Sequence, residues 1–259
     1  MVKLSVIIIT FNEERNIENC LNSVVGLADE ILILDSFSTD GTKGLIEQYP
    51  YPIRFFESKF SGYGDSKNKL ESWAKGDFIF SIDADEVVSN DLIISILHEK
   101  STGFPSLVYD VKRENIYCGK AIRFGGWNPD LKSRLWKKGS AKWDLSEVHE
   151  NLIVANQKKG KLLVGPLYHF SYRTIGEHLS KVEKYSQKGA VQLNRTGKKG
   201  SLFKLIFSPI FRFLRDYFLK LGFLDGKSGF YIARITAFEV YLKYLNLIRL
   251  QNVDVQNRD

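Results

Sequence analysis

The sequence predicts an α/β fold built on a largely parallel sheet, and two observations lead to this prediction. The first hundred residues alternate short apolar segments with amphipathic helical patterns, as in a doubly wound sheet. From about residue 107 to 170 the pattern changes to short segments with aromatic and glycine punctuation, which indicates a mixed or antiparallel extension of the same sheet. A chain of 259 residues with 44% hydrophobic content can bury a full core around such a sheet.

Apolar runs define the predicted strands, and the helices lie between them. The strands of the first hundred residues are expected at 4–9, 30–34, 53–56 and 78–82, and later ones at 107–111, 133–136 and 151–154. Helical spacing predicts helices over about 14–25, 41–49, 65–74, 90–99 and 175–195. Right-handed crossovers would place the loops after the first strands on one edge of the sheet, and three of these loops carry polar residues.

The C-terminal third holds the positive charge of the chain. Residues 181–250 contain 14 Lys/Arg and 4 Asp/Glu, and the whole chain has a net charge of +7. In residues 201–221 a wide apolar face accompanies Lys204, Ser208, Arg212 and Arg215, a pattern typical of a helix in a membrane interface. The alternative is a pair of helices packed on the rest of the protein, the second over 228–250, with solvated basic residues. Nucleic acid is disfavoured, because the basic residues alternate with Phe, Leu and Ile in helical register.

Cysteine content and the N-terminus predict a cytoplasmic protein. Cys20 and Cys118 form neither a disulfide framework nor a metal-ligand spacing, which fits a reducing compartment. The apolar run at residues 4–9 is too short for the core of a secretory signal, and Glu13 and Glu14 follow it closely. We therefore expect a first strand here rather than an export signal.

Two carboxylates stand at the end of the fourth predicted strand. Asp83 and Asp85 are separated by one small residue, and both can reach one ligand only if the strand ends and turns at Asp83. Mg²⁺ and Mn²⁺ bind in this way, with one or two carboxylates completed by substrate phosphates. The alternative is an acidic turn followed by a helix cap.

Seven segments give the chain a resemblance to a known family. Segments 9–17, 35–42 and 83–86 resemble the successive motifs of glycosyltransferase family 2. Segments 62–68, 125–130, 148–150 and 221–226 resemble the bacterial lipopolysaccharide core β-1,4-glucosyltransferase subgroup of that family. The family resemblance covers about residues 4–100 and the subgroup resemblance covers nearly the whole chain. It implies a GT-A fold, a nucleotide-activated sugar donor and inversion at the anomeric carbon.

The resemblance also assigns roles on the donor side of the site. Thr10 and Glu13 lie in the loop that borders the nucleobase, and Asp35 corresponds to the acid that contacts uracil or ribose. Many family members have a second acid at the next position, where this chain has Ser36. Lys67 precedes the Asp-x-Asp strand and could approach the nucleotide, or it is a solvated helix lysine.

The Asp-x-Asp carboxylates complete the donor side. Asp83 would contact the ribose or the metal, and Asp85 would bind a divalent metal, Mg²⁺ or Mn²⁺, that bridges the diphosphate.

Inverting transfer needs a group that takes the proton of the acceptor hydroxyl. Glu150 is slightly preferred for this base and Asp130 is the second candidate, although either could be a loop acid that bonds backbone amides. His149 could hold a phosphate or the metal, or be structural. Arg134 is a candidate for an acceptor phosphate. His169 is expected to be packed, with approach to the diphosphate as the alternative.

These observations together predict an inverting, metal-dependent glycosyltransferase. It would move a sugar, glucose from UDP-glucose by the resemblance, to a lipopolysaccharide core or similar lipid-linked acceptor. Residues 1–170 would form the GT-A domain, with a nucleotide-binding half at about 1–100 and an acceptor half at about 101–170. Residues 171–259 would form a helical, basic region that associates with an anionic membrane surface. The enzyme would be peripheral on the inner face of the bacterial cytoplasmic membrane.

Two other functions stay open at this point. The first is transfer to a polyprenyl phosphate or another surface glycan, which would differ only in the acceptor pocket. The second is a non-catalytic protein that binds the membrane surface; the presence of both Asp-x-Asp acids disfavours it.

Overall fold

The computed structural model describes residues 2–146, 151–154 and 160–256, with side chains described up to residue 252. The chain divides into two compact units. The first comprises Met1–Glu114 and Asp130–His169, and the second comprises Asn115–Pro129 and Phe170–Asp259.

The strands, in chain order, have the following bounds. They are β1 (Leu4–Thr10), β2 (Glu30–Asp35), β3 (Ile53–Glu57), β4 (Phe78–Asp83), β5 (Glu86–Val88), β6 (Val108–Tyr117), β7 (Lys120–Ala121), β8 (Leu131–Lys137), β9 (Ala141–Trp143), β10 (Leu152–Val154) and β11 (Lys161–Tyr172). The helices are α1 (Ile17–Val24), α2 (Thr42–Glu47), α3 (Tyr63–Trp73), α4 (Asn90–Ser101), α5 (Ile175–Arg195), α6 (Leu202–Leu214) and α7 (Gly226–Gln256).

Within the described residues, nine of the strands form one mixed sheet. Its order is β3-β2-β1-β4-β8-β6-β11-β5, with β7 paired to β6, while β9 and β10 form a separate hairpin. Strands β1 to β4 run parallel, and β8 joins β4 in the antiparallel direction. The predicted α/β class, with a parallel half and a mixed extension, is therefore confirmed, except that segment 151–154, predicted in the extension, pairs with β9 in the separate sheet.

Both faces of the parallel half are covered by apolar packing. Alternate residues of β1 enter two separate clusters: Val6 and Ile8 pack with α1 residues such as Leu21, and Ile7 packs with Leu70 of α3. This is the result of side chains alternating across a strand that is buried on both faces. The helix predicted from residue 14 begins at Ile17, after a turn in which the Glu13 carbonyl accepts the Ile17 N–H.

The second unit is mainly helical. Helix α7 packs against both α5 and α6. A π-helical turn (Arg215–Leu219) and a 3₁₀ turn (Gly222–Asp225) connect α6 to α7. None of the helices in the described part of the chain is both long and apolar enough to cross a membrane.

Helix α6 turns its apolar residues outward. Phe203, Phe207 and Phe211 are 68%, 52% and 61% exposed, and no residue of the helix is fully buried. Sequence spacing gives α6 a polar face, but the structure places two members of that face, Ser208 and Arg212, in half-buried positions. The helix therefore leaves its apolar face to solvent.

A buried aspartate accounts for this orientation. Asp216 is 3% exposed, and its carboxylate pairs with Arg212 Nε at 2.6 Å and with Arg215 Nη2 at 2.8 Å. Because a buried carboxylate requires charged partners, both arginines are turned toward it and away from solvent.

An aromatic cluster in the second unit encloses His178. The imidazole stacks on Tyr172 at 4.4 Å between ring centroids, and its Nδ1 lies 3.2 Å from the Tyr117 hydroxyl. Burial, with a smaller contribution from Lys181, lowers the pKa of His178 to about 4. The folded protein therefore holds a neutral ring where an unfolded chain would be protonated.

We expect this histidine to make the second unit acid-sensitive. Its contribution to stability is complete above the ordinary pKa of 6.5 and is lost as the pH falls toward the folded value of about 4. The loss approaches about 3 kcal/mol, because each pKa unit is worth about 1.4 kcal/mol. Urea unfolding at several pH values checks this. The His178→Gln variant should flatten the plot of unfolding free energy against pH between the folded and unfolded pKa values of His178. The control His98→Gln, at an exposed histidine, should leave that plot unchanged. Equal plots for the two variants would refute the assignment.

Candidate active site

The ends of β1, β2 and β4 meet at one edge of the parallel half. Thr10 pairs with Asp35 across β1 and β2, and Ile9 pairs with Asp83 across β1 and β4. The predicted loops therefore do lie together, and the structure brings Thr10, Asp35 and Asp83 to one edge.

Asp35 organises the loop that follows β2. Its buried carboxylate accepts hydrogen bonds from the Ser38 backbone N–H at 2.7 Å and from the Ser38 hydroxyl at 2.5 Å. The Ser38 hydroxyl in turn accepts from the Asn12 N–H at 2.8 Å, which joins this loop to the one after β1. The loops after β1 and β2 thus form one structure around Asp35.

The rest of the predicted nucleobase loop is partly ordered by its own contacts. The Glu13 carboxylate accepts from Asn16 at 2.6 Å, and the Glu13 N–H donates to Thr42 Oγ1 at 2.8 Å. Within the described chain the buried Thr10 hydroxyl has no hydrogen-bond partner. A buried hydroxyl without a partner is costly, so Thr10 is a suitable place for a ligand to bond.

Two exposed aromatic rings flank these loops, and sequence reasoning missed them. Phe11 and Phe37 each follow the end of a strand, and both are at least half exposed. Exposed aromatic faces can stack on a nucleobase. The available signal was the recurrence of an aromatic residue just after the first two strands.

Asp83 is held between two buried cations. Lys67 Nζ lies 2.9 Å from one carboxylate oxygen and Arg134 Nη2 lies 2.9 Å from the other. Burial alone would raise the pKa of Asp83, but the charges of Arg134 and Lys67 lower it well below its usual value. Protein cations therefore already meet both carboxylate oxygens of Asp83.

Lys67 is not a solvated helix lysine. It is 2% exposed, and besides its ion pair its ammonium lies 4.5 Å from the centroid of the Trp143 ring. Asn68, the next residue, exchanges two hydrogen bonds with the backbone of Trp143, at 2.9 and 3.0 Å. These contacts fix α3 against β9 and hold the ammonium on Asp83.

Asp85 meets a histidine. Its carboxylate lies 3.2 Å from His169 Nε2, and both side chains are partly exposed. Burial lowers the pKa of His169, but the charge and hydrogen bond of Asp85 outweigh it and the net change is a rise. Sequence reasoning favoured a packed role for His169, whereas the structure makes it the neighbour of Asp85.

This pair fits a divalent metal as two of its ligands. A carboxylate oxygen and an imidazole nitrogen suit Mn²⁺, and phosphate oxygens of a donor would complete the shell. Among the described residues, no cluster of three or more His, Cys, Asp or Glu side chains is arranged to hold a metal ion.

The two candidates on the acceptor side that lie in described segments are both in ion pairs. Asp130 pairs with Arg113 Nε at 2.7 Å and with Lys132 at 3.3 Å, and although its burial acts the other way, these charges lower its pKa. Arg134 is 3% exposed and pairs with Asp83 and with Glu86. The structure thus gives Arg134 a role beside Asp83, and its acceptor-phosphate role stays a prediction.

Glu150, the preferred base, and its neighbour His149 lie outside the described residues, so their roles also stay predictions.

The fold and this acidic sheet edge are those of a glycosyltransferase. The chain belongs to glycosyl transferase family 2, whose sequence profile matches residues 5–150.

The similarity to individual relatives extends over nearly the whole chain. It is 34% identical over 263 residues to the lipopolysaccharide core biosynthesis glycosyltransferase LpsC of Rhizobium meliloti, covering 97% of this chain and 96% of the relative. An uncharacterised glycosyltransferase of Rickettsia typhi is 30% identical, and the match covers 100% of this chain and 90% of that relative. Among solved structures, S. aureus TarS 1–349 in complex with UDP-GlcNAc is 17% identical with a TM-score of 0.46, covering 98% and 92%.

Proposed function

We propose that this chain is an inverting glycosyltransferase that moves glucose from UDP-glucose to a lipopolysaccharide core or a similar lipid-linked acceptor. The observation that carries the proposal is the similarity to LpsC over nearly the full length of both chains. The donor side rests on the sheet edge, where Asp35 and Asp83 end parallel strands and Asp85 follows the second of them. Ligands bind at such an edge in open α/β sheets.

The described residues divide the work of holding the donor. The loops around Asp35 and Thr10 would take the nucleobase, with Phe11 and Phe37 as stacking surfaces. Asp83, kept ionised by Arg134 and Lys67, would accept a hydrogen bond from a ribose hydroxyl.

The diphosphate would lie beside Asp85 and His169, the two residues that would hold Mg²⁺ or Mn²⁺. When bound, the metal would neutralise charge that develops on the leaving diphosphate.

Inversion requires a carboxylate on the acceptor side of the sugar. The acceptor oxygen attacks the anomeric carbon, the bond to the diphosphate breaks, and the carboxylate takes the hydroxyl proton. The ion pairs of Asp130 lower its pKa, which makes it a weaker proton acceptor than an ordinary aspartate, and Glu150 stays the preferred base in this proposal.

A transfer assay tests the proposal. The native chain, Mn²⁺ and UDP-glucose are incubated with lipopolysaccharide truncated in the core, and the product is weighed by mass spectrometry. A mass gain of one hexose, with a β linkage by NMR of the product, supports the proposal. Transfer only to a polyprenyl phosphate would move the function to that acceptor. No donor hydrolysis or transfer with any of several nucleotide sugars would favour a non-catalytic binding protein.

Such an acceptor is embedded in a membrane, and we place the membrane contact on α6 and the turns after it. The outward apolar residues there continue into the two turns. They are Phe203, Ile206, Phe207, Ile210, Phe211, Leu214, Phe218, Leu219, Leu221, Phe223 and Leu224.

Charge favours an anionic lipid surface over a second copy of the chain. The one acid between residues 198 and 224, Asp216, is buried, whereas Lys198, Lys199, Lys204 and Lys220 are exposed. Lysines that flank an apolar face attract anionic headgroups and repel an identical surface. In this proposal residues 1–170 are catalytic, residues 171–259 bind the membrane, and the enzyme is peripheral on the cytoplasmic face.

We expect Phe207→Ser combined with Phe211→Ser to abolish most membrane binding. Each buried Phe contributes about 1.5–3 kcal/mol, so the pair should lower vesicle affinity by about 10²-fold or more. Flotation with phosphatidylglycerol vesicles measures this. Ile94→Ser removes an equally exposed apolar side chain from α4 and should have no effect. Unchanged flotation of the double variant would rule out this surface, and its conversion of a dimer to a monomer would identify a self-association face instead.

A further inference from the structure

Glu86 is a fully buried carboxylate at the start of β5. One of its oxygens lies 2.6 Å from Arg134 Nη2 and 3.5 Å from Arg113 Nη1. The other accepts the Asp83 backbone N–H at 2.9 Å. Two cations and one backbone donor therefore converge on a side chain that has no access to solvent.

Each of the two arginines also holds a second carboxylate. Arg134 Nη2 lies 2.9 Å from Asp83, and Arg113 Nε lies 2.7 Å from Asp130. Charges therefore alternate in one chain of contacts from Asp83 through Arg134, Glu86 and Arg113 to Asp130. Glu86 is the central member of this chain of contacts, at 2.6 Å from Arg134 and 3.5 Å from Arg113.

The backbone of Glu86 adds a third link. In the antiparallel pair of β5 and β11, Glu86 is the register partner of His169. This pairing brings His169 opposite the turn that carries Asp85, where the two side chains meet at 3.2 Å. Glu86 thus contacts the turn at Asp83, the arginine that pairs with Asp130, and the strand that carries His169.

We propose that Glu86 is a positioning residue that fixes the donor-side carboxylates, Asp83 and Asp85, relative to Asp130. The inference rests on the proposed transfer reaction. A carboxylate buried between two arginines is weak evidence for stability, because apolar side chains of the same volume often stabilise as well. A carboxylate in this position does fix two guanidinium planes. Catalytic groups need support of this kind to keep their geometry.

Three variants test the proposal. Glu86→Gln keeps the shape and loses the charge, Glu86→Asp keeps the charge on a shorter side chain, and Glu99→Gln is the control. Glu99 is another buried glutamate, and it pairs with Lys161 at 2.6 Å. The readouts are kcat for glucose transfer, UDP affinity with Mn²⁺ by calorimetry, and the unfolding temperature.

We expect both Gln variants to unfold at lower temperature, and only Glu86→Gln to lose function in its folded fraction. Its kcat should fall about 10- to 100-fold and its UDP affinity about 5-fold or more, as for loss of an outer-sphere partner. The kcat and UDP affinity of Glu86→Asp should be intermediate, because the charge that orients the arginines is kept on a shorter side chain. Activity of Glu86→Gln equal to that of Glu99→Gln would overturn the proposal, as would a Gln variant more active than the Asp variant, because that order indicates packing alone.

A double-mutant cycle tests the link to Asp130. In an Arg113→Gln background, the effect of Glu86→Gln on kcat should be smaller than in the native chain, because the link through Arg113 is already absent while the links to Arg134 and to the Asp83 N–H remain. Fully multiplicative effects would contradict the link. If Glu86→Gln does not fold, Glu86→Asp decides, and native kcat in that variant overturns the proposal. A native chain that neither transfers glucose nor binds UDP would instead refute the proposed function.

Discussion

Asp85→Ala should abolish glucose transfer while leaving the protein folded. Asp85 is partly exposed and contacts His169, so its loss opens no large cavity in the core. Loss of a residue that only supports a metal ligand lowers activity by about 10- to 100-fold. If Asp85 itself holds the metal, the fall in kcat should be larger than that. Steady-state assays with UDP-glucose and Mn²⁺ measure the effect.

Asp91→Ala is the matched control for this variant. Asp91 is an exposed acid in the first turn of α4, and its replacement should leave kcat unchanged. Equal turnover by the native chain and Asp85→Ala would eliminate the metal role. Raising Mn²⁺ in the assay should restore His169→Gln, which keeps the anionic Asp85 ligand, more than Asp85→Ala, which keeps only the neutral imidazole.

Arg134→Met should have the largest effect on stability of any single change considered. It removes the cation from two buried or half-buried carboxylates, Asp83 and Glu86, and leaves Glu86 with a single arginine at 3.5 Å. Removing one partner of a buried pair costs about 3–5 kcal/mol. Urea unfolding followed by circular dichroism measures the loss.

The control here is an exposed ion pair of similar length. Lys43 and Glu57 lie 2.8 Å apart on the surface, so Lys43→Met should cost no more than about 1 kcal/mol. Equal stability changes in the two variants would mean that the Asp83–Arg134–Glu86 cluster does not stabilise the fold.

Local pattern predicts the parallel half of the sheet well. Strands β1, β2 and β4 are apolar runs buried on both faces, and β3 is a partly buried edge strand, so local composition identifies them and the loops after them share an edge. The order of the antiparallel strands could not be predicted in this way. It depends on pairings between distant segments, such as β4 with β8 and β5 with β11.

The same limit applies to the site. Asp35, Asp83 and Asp85 end predicted strands and could be placed by sequence, but His169 lies 84 residues from Asp85 and meets it through the β5–β11 pairing. The ion pairs of Lys67 and Arg134 with Asp83 are likewise long-range. For α6, helical spacing predicts the two faces, but which face turns outward depends on long-range contacts, namely packing on α7 and the ion pairs of Asp216.

A crystal structure with UDP-glucose and Mn²⁺ tests the central claim most directly, because anomalous scattering locates the metal independently of any assumed mechanism. We predict one manganese bound by Asp85 and His169 and by the diphosphate, with uracil at the Asp35 loop and Glu150 or Asp130 facing the anomeric carbon. A manganese ion or a uracil bound elsewhere on the protein would contradict the account.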